Sequence, residues 1–98
     1  MRTFTVDTKV ETTADPVSLR LESKKFKLTQ SGGTWSGNRN VDLPDNVSIS
    51  FRASGFFMTV WKLTITFTDS AGAVKKFERS GNIPKSELAI LNDAISLV

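Results

Sequence analysis

The sequence predicts an α+β fold that is mainly β, with one amphipathic helix at the carboxyl end. Apolar and polar residues alternate over several short segments, as in half-buried antiparallel strands. Gly, Pro, Asn and Asp separate those segments, as turns require. Only the segment from Pro84 to Val98 spaces its apolar residues as a helix does. The 98 residues suffice for one core, so residues 1–98 are expected to form a single domain of six or seven strands.

The first part of the chain predicts two strands separated by Asp15-Pro16. One face of each strand is apolar or carries threonine: Phe4, Val6, Thr8, Val10 and Thr12 in the first, and Val17, Leu19 and Leu21 in the second. The alternation shifts by one position at Phe26. A tight turn or a bulge is therefore expected near Ser23 to Lys25.

The segment from Gln30 to Asn46 predicts a long polar loop, because it holds three of the six glycines and few large apolar residues. A short strand around Thr34 to Ser36 could divide it. Loops of this length often carry function, so this loop is the first candidate site. Its expected ligand contacts are Trp35, Asn38, Arg39, Asn40 and Asp42.

Two interpretations of Trp35 remain open. Its ring could stack on a sugar or a base while neighbouring polar side chains form hydrogen bonds to the ligand. Alternatively, the ring turns inward and anchors the loop on the core. Asn38, Asn40 and Asp42 have the spacing of the first calcium ligands of an EF-hand. The positions that require Gly and Glu are Leu43 and Ile49, so neither a metal nor a cofactor is expected.

The next two strands both place apolar residues at odd positions: Val47, Ile49, Phe51 and Ala53, then Phe57, Trp61, Leu63, Ile65 and Phe67. A hairpin preserves this parity only if its loop has an odd length. We therefore predict a loop Ala53-Ser54-Gly55 with Gly55 at positive φ. Phe51 would then lie opposite Phe57, and Ile49 opposite Thr59.

A second turn, from Asp69 to Gly72, follows the same logic. Asp suits the first position of the turn and Gly its left-handed position. This turn places Ile65 opposite Phe77.

Phe56, Met58 and Val60 make half of the outward strand face apolar. Such a strip requires a cover, which is either the carboxyl-terminal helix or a second copy of the chain. The apolar side of that helix is Leu88, Leu91, Ile95 and Val98, and Pro84 suits its first turn. The order of elements resembles, in architecture only, pleckstrin-homology-type barrels. An antiparallel roll or open barrel is therefore expected ahead of a sandwich.

The net charge of +3 permits a polyanionic partner. Lys25, Lys27, Lys62 and Lys76 predict a basic sheet face, with Lys62 beside Lys76 on neighbouring strands. Such a face could bind the phosphates of single-stranded nucleic acid. The alternative is a solvated surface whose charges prevent edge-to-edge aggregation. No recognised nucleic-acid-binding motif is present.

The chain has no histidine and no cysteine, which removes most catalytic and metal-binding chemistry, and we expect it not to be an enzyme. The leading hypothesis is a binding or self-association module that uses the apolar strand face and the long polar loop. A protein partner or a homo-oligomer is expected, with polyanion binding by the basic face or carbohydrate binding by the Trp35 loop as alternatives. Neither a signal peptide nor a transmembrane run is visible, which favours the cytoplasm by default.

Overall fold

The computed structural model describes all 98 residues as an all-β domain of nine strands. In chain order these are β1 (Arg2–Thr12), β2 (Val17–Leu21), β3 (Lys24–Phe26), β4 (Thr29–Ser31), β5 (Thr34–Leu43), β6 (Asn46–Ser54), β7 (Val60–Asp69), β8 (Val74–Asn82) and β9 (Leu88–Ser96). The five-stranded sheet has the order β4-β5-β1-β7-β8, and the four-stranded sheet has the order β3-β2-β6-β9. All neighbouring strands are antiparallel.

The two sheets pack face to face over one core, and the alternating residues of each strand supply it. Phe51 of β6 and Trp61 of β7 meet across the interface with ring centroids 4.9 Å apart. The apolar faces predicted for β1, β2 and β6 are buried, and so are Trp61, Leu63, Ile65 and Phe67 of β7. The domain is thus a β-sandwich of nine strands. The predicted α+β class, the expected six or seven strands and the preference for a roll or open barrel over a sandwich are wrong.

The predicted carboxyl-terminal helix is absent, and β9 occupies most of that segment, paired antiparallel with β6. Leu91 and Ile95 satisfy both helical spacing and strand alternation, so a short apolar run does not separate the two. Ala89, Leu91 and Ile95 turn toward the core of the sandwich. Long-range pairing with β6 therefore decides the conformation.

The predicted long loop is also wrong, because β5 extends through most of it and pairs with β1 from Thr34 to Leu43. Its glycines and asparagines have low strand propensity, and this is why the sequence suggested a loop. Pairing with the half-buried strand β1 outweighs that local preference. Gly37 in particular has a packing role, since a Cβ there would lie 2.8 Å from the Phe26 ring.

The predicted hairpin between Phe51 and Phe57 does not form, because β6 and β7 belong to different sheets. The segment between them crosses from one sheet to the other. Gly55 is not among the residues with positive φ, whereas Met58 has φ 72°. The odd-numbered apolar residues of both strands do point inward, as predicted. Strands on opposite sheets of a sandwich can share this pattern as well, so it did not establish a hairpin between them.

Two local predictions are confirmed. The turn after β7 has Gly72 at φ 87° and places Ile65 opposite Phe77. The turn between β2 and β3 consists of Glu22 and Ser23, one residue earlier than the predicted start, and both have positive φ. Two such residues are typical of a type I′ hairpin turn.

Candidate binding surfaces

The residues of the predicted ligand loop lie on β5, where they alternate between its two sides. Trp35 and Arg39 lie on the side that faces the four-stranded sheet, because they pair with the buried Val10 and Val6 of β1. The indole Nε1 of Trp35 donates a hydrogen bond to the carbonyl oxygen of Ala14 at 3.2 Å, and the ring packs on the core. The inward interpretation of Trp35 thus agrees with the structure.

Asn38, Asn40 and Asp42 lie on the outer side of β5 and contact β1. Thr3 Oγ1 donates to Asp42, Thr5 Oγ1 donates to Asn40 at 2.9 Å, and Asn38 Nδ2 donates to Asp7 at 3.3 Å. These cross-strand pairs satisfy one another. The five predicted loop residues therefore do not converge on one ligand surface.

The four lysines of the predicted basic face lie on both sheets. Lys25 belongs to β3 in the four-stranded sheet and Lys27 follows it, whereas Lys62 and Lys76 lie on β7 and β8 of the other sheet. Lys62 pairs with Ser80 rather than with Lys76. Lys76 forms an ion pair with Glu78 at 3.4 Å. The predicted single basic face is therefore not formed.

A group of large apolar side chains is exposed at one end of the sandwich. We call Phe56, Phe57, Met58 and Val60 the apolar tip; their exposed fractions are 83%, 50%, 58% and 63%. The predicted helical cover does not exist, and nothing else in the chain covers these side chains. Phe57, predicted to face inward, is half exposed because it lies in the crossing segment rather than in a strand.

The backbone of the apolar tip is held firmly although its side chains are exposed. The amide of Thr59 donates to the Phe56 carbonyl at 3.1 Å and closes a turn around Met58. Met58 then donates to the Ile83 carbonyl, and Ile83 donates to the Thr59 carbonyl, at 2.9 and 2.8 Å. Ile83 is fully buried beneath this turn. The apolar tip is thus presented on an anchored loop.

A cation lies close to the apolar tip. The Nζ of Lys85 lies 5.8 Å from the centre of the Phe57 ring, within the range of a cation–π contact. The backbone carbonyl of Glu87 accepts a hydrogen bond from the Gly55 amide at 3.1 Å, which holds the loop containing Lys85 against the crossing segment. The apolar surface is therefore bordered by Lys85.

A second surface is a depression of about 860 Å³ on the outer side of the four-stranded sheet. We call its polar lining the serine face: Ser18, Arg20, Ser48, Ser50, Arg52 and Asn92. Arg20 pairs with Ser50, and Arg52 pairs with Ser18, so the two guanidinium groups extend from neighbouring strands. Asp93 borders the depression but contacts Arg79 of the other sheet.

The sequence placed Arg20 and Arg52 on outward strand positions without marking them as a site. Their proximity arises from the pairing of β2 with β6, which no local signal reveals. Val60 and Met58 were marked correctly as apolar and outward. Their position at a crossing between sheets was not predicted.

The carboxyl of Asp93 has a lowered pKa: hydrogen bonding by the Ala94 amide, then by Arg79, lowers it despite the opposing effect of partial desolvation. No group of three or more acidic, histidine or cysteine side chains is close enough to hold a metal ion.

The chain matches no known family model, no curated protein sequence and no solved structure. The structure contains no helix of the length and apolarity that crossing a membrane requires.

Proposed function

We propose that this domain is a non-enzymatic binding module that associates with a second copy of itself through the apolar tip. The observation that carries the proposal is the exposure of four large apolar side chains close together in the chain: Phe56, Phe57 and Met58 on an anchored loop, and Val60 at the start of β7. Soluble monomers seldom expose such a group together, and larger patches mark interaction sites. Aromatic side chains held on a rigid backbone lose little entropy on contact.

The charges around the apolar tip favour a second copy as the partner. A two-fold interface repeats the same surface on both sides, so apolar residues meet apolar residues. Lys85 lies beside Phe57, and Glu87 follows two residues later in the same loop, so a two-fold arrangement can bring the lysine of each copy toward the glutamate of the other. Four side chains contribute a few hundred Å², less than the roughly 800 Å² per partner of a stable complex. The expected association is therefore weak and reversible.

Met58→Asp tests this proposal without disturbing the loop backbone. Met58 has positive φ, a conformation that Asp tolerates better than most residues. Sedimentation velocity of the wild-type chain between roughly 10 µM and 1 mM should show a concentration-dependent dimer. Met58→Asp should remain a monomer throughout, because a carboxylate would be desolvated against a second apolar tip.

Val74→Asp is the matched control, since Val74 is also an exposed apolar residue and begins β8 beyond the turn at the other end of β7. This variant should dimerise as the wild type does. A wild-type chain that stays monomeric at the highest concentration, or a dimer that Met58→Asp leaves intact, would contradict the proposal.

A further inference from the structure

The serine face has a different chemistry from the apolar tip and lies on a different part of the molecule. We propose that it binds an acidic polysaccharide, with carboxylate or sulfate groups held by Arg20 and Arg52. The proposal rests on the free cations of this face, on the hydroxyl groups between them, and on the volume of the depression.

Arg20 and Arg52 are the two arginines without a charged or aromatic partner. Arg2 contacts Asp69 and the Phe4 ring, Arg39 lies over Phe26, and Arg79 binds Asp93. Arg52 makes no side-chain hydrogen bond, and Arg20 donates only one long bond of 3.4 Å to the Ser23 carbonyl. The guanidinium donors of both residues therefore remain free for an external anion.

The acidic groups beside the serine face are already engaged. Glu22 Oε2 accepts a hydrogen bond from the Ser48 amide at 2.6 Å. Asp93 Oδ2 accepts from Arg79 Nε at 3.0 Å, and its Oδ1 accepts from the Ala94 amide at 2.8 Å. Lys25 pairs with Arg20 on the same side of the sheet and adds a third cation. Three cations, Arg20, Lys25 and Arg52, therefore outnumber the one carboxylate without an ion pair, Glu22, since Asp93 is paired with Arg79.

The hydroxyl groups identify the ligand more closely. Ser50 lies opposite Arg20 and Ser18 lies opposite Arg52, so the two arginines are diagonal neighbours, a relation that spans roughly 7–8 Å in antiparallel sheets. Serine hydroxyls and the Asn92 amide can each donate and accept, which suits the hydroxyls of a sugar chain. Paired anions with hydroxyls between them are the pattern of an acidic polysaccharide.

Two other anions fit less well. Single-stranded nucleic acid requires aromatic rings on which bases stack, and none lines this depression. A free phosphate ion would occupy little of the 860 Å³, which falls in the range of sites for larger ligands. The volume and the lining chemistry therefore favour a hydroxylated polyanion larger than a single phosphate ion.

Isothermal titration calorimetry tests the proposal with four probes on the intact chain. An oligogalacturonate hexamer and a heparin hexasaccharide should distinguish carboxylate from sulfate recognition, and binding of either supports the proposal. Cellohexaose, which is neutral, should not bind. Single-stranded DNA of matched charge should bind more weakly than the better acidic sugar, since stacking is missing.

Arg20→Gln and Arg52→Gln should each lower the affinity for the better acidic sugar about tenfold, because a charge-assisted contact is lost. The control on the other sheet is the double substitution Lys62→Gln and Lys76→Gln, which removes two positive charges, one more than either arginine variant, and should still change the affinity less than twofold. Binding of neither acidic sugar overturns the proposal. Tighter binding of DNA, or an equal loss in the lysine double variant, overturns it as well.

Discussion

The two lateral sides of the sandwich are closed in different ways. On one side the chain itself passes between the sheets, from β3 to β4, and buries Phe26 under the edge. On the other side the chain also crosses between the sheets, from β8 to β9, with Ile83 buried beneath the apolar tip, and the edge strands β8 and β9 are joined by the ion pair of Arg79 with Asp93. Between the edge strands themselves, the first side is closed by buried apolar surface and the second by a partly exposed ion pair.

The closure at β3 and β4 is tightly packed. Phe26 is 3% exposed, and Leu28 packs against the core beside it. A Cβ on Gly37 would lie 2.5 Å from the Lys27 carbonyl oxygen, so β5 can approach this segment only because residue 37 is glycine. Water has little access to this contact, so the contact should not depend on pH.

The closure at β8 and β9 is open to solvent. Arg79 Nη2 lies 2.9 Å from Asp93 Oδ2, and its guanidinium lies 4.3 Å from the centre of the Phe77 ring. Exposed ion pairs contribute little because water screens them and both side chains lose freedom. The two lateral sides of one core are therefore expected to contribute different amounts to its stability. The side that contributes less is the one that responds to solution conditions.

Phe26→Ala should lower the stability of the domain most, because it would open the tightly packed side. Removing a buried phenylalanine ring should lower the free energy of unfolding by about 3–5 kcal/mol. Urea denaturation followed by Trp fluorescence measures it. Phe56→Ala, at the exposed apolar tip, is the control and should change stability by less than about 0.5 kcal/mol. Similar values for the two variants would mean that Phe26 does not close the core.

Gly37→Ala should have a smaller effect at the same side. The added methyl must displace the Phe26 ring and the Lys27 carbonyl, and overpacking of this kind costs about 1–3 kcal/mol. Gly33→Ala is the matched control, because a Cβ there meets nothing within 4 Å. Thermal unfolding of both variants should lower the melting temperature of Gly37→Ala alone. Equal melting temperatures would show that the β3 segment is looser than described.

Asp93→Asn should have the smallest effect and should appear in acid. Hydrogen bonding holds the pKa of the Asp93 carboxyl below its usual value of about 4, so the ionised form stabilises the folded state. That contribution is present above the usual pKa and is lost as the pH falls through the lowered one. Wild type should therefore lose more stability than Asp93→Asn between neutral pH and roughly pH 3.

Urea denaturation at a series of pH values measures this difference. Asp45→Asn serves as the control, because Asp45 is exposed and makes no ion pair. Parallel pH profiles for wild type and Asp93→Asn would show that the ion pair between β8 and β9 does not make this side of the sandwich sensitive to pH.

Local signals predicted the parts of the fold that depend on neighbouring residues. Asp69 Oδ1 accepts hydrogen bonds from the Ala71 and Ala73 amides, both at 2.9 Å, so the turn before β8 is encoded in consecutive residues. Its glycine and the register of its hairpin were predicted correctly for this reason. The alternation along β1 is equally local, and its buried face was also predicted.

Pairings between distant segments were not predictable in this way. β5 is a strand because β1 lies beside it, and β9 is a strand because β6 offers an open edge. Arg20 and Arg52 become neighbours through a similar pairing, so the serine face could not be assembled from the sequence. The apolar tip was recognised as unusual because three apolar residues broke a local alternation. Its predicted helical cover is missing because the carboxyl-terminal segment pairs with β6, and this long-range pairing was not visible in the sequence.

The position of β1 in its sheet has a consequence for folding kinetics. β1 lies between β5 and β7, with Thr8 opposite Gly37 on one side and Ile65 on the other. The chain must close two long loops before its first strand has both neighbours, and this loss of entropy precedes most of the burial. Folding in milliseconds to seconds is expected for such non-local sheets. Until β7 docks, the apolar face of β1 remains available to other unfolded chains, so refolding yield should fall as protein concentration rises.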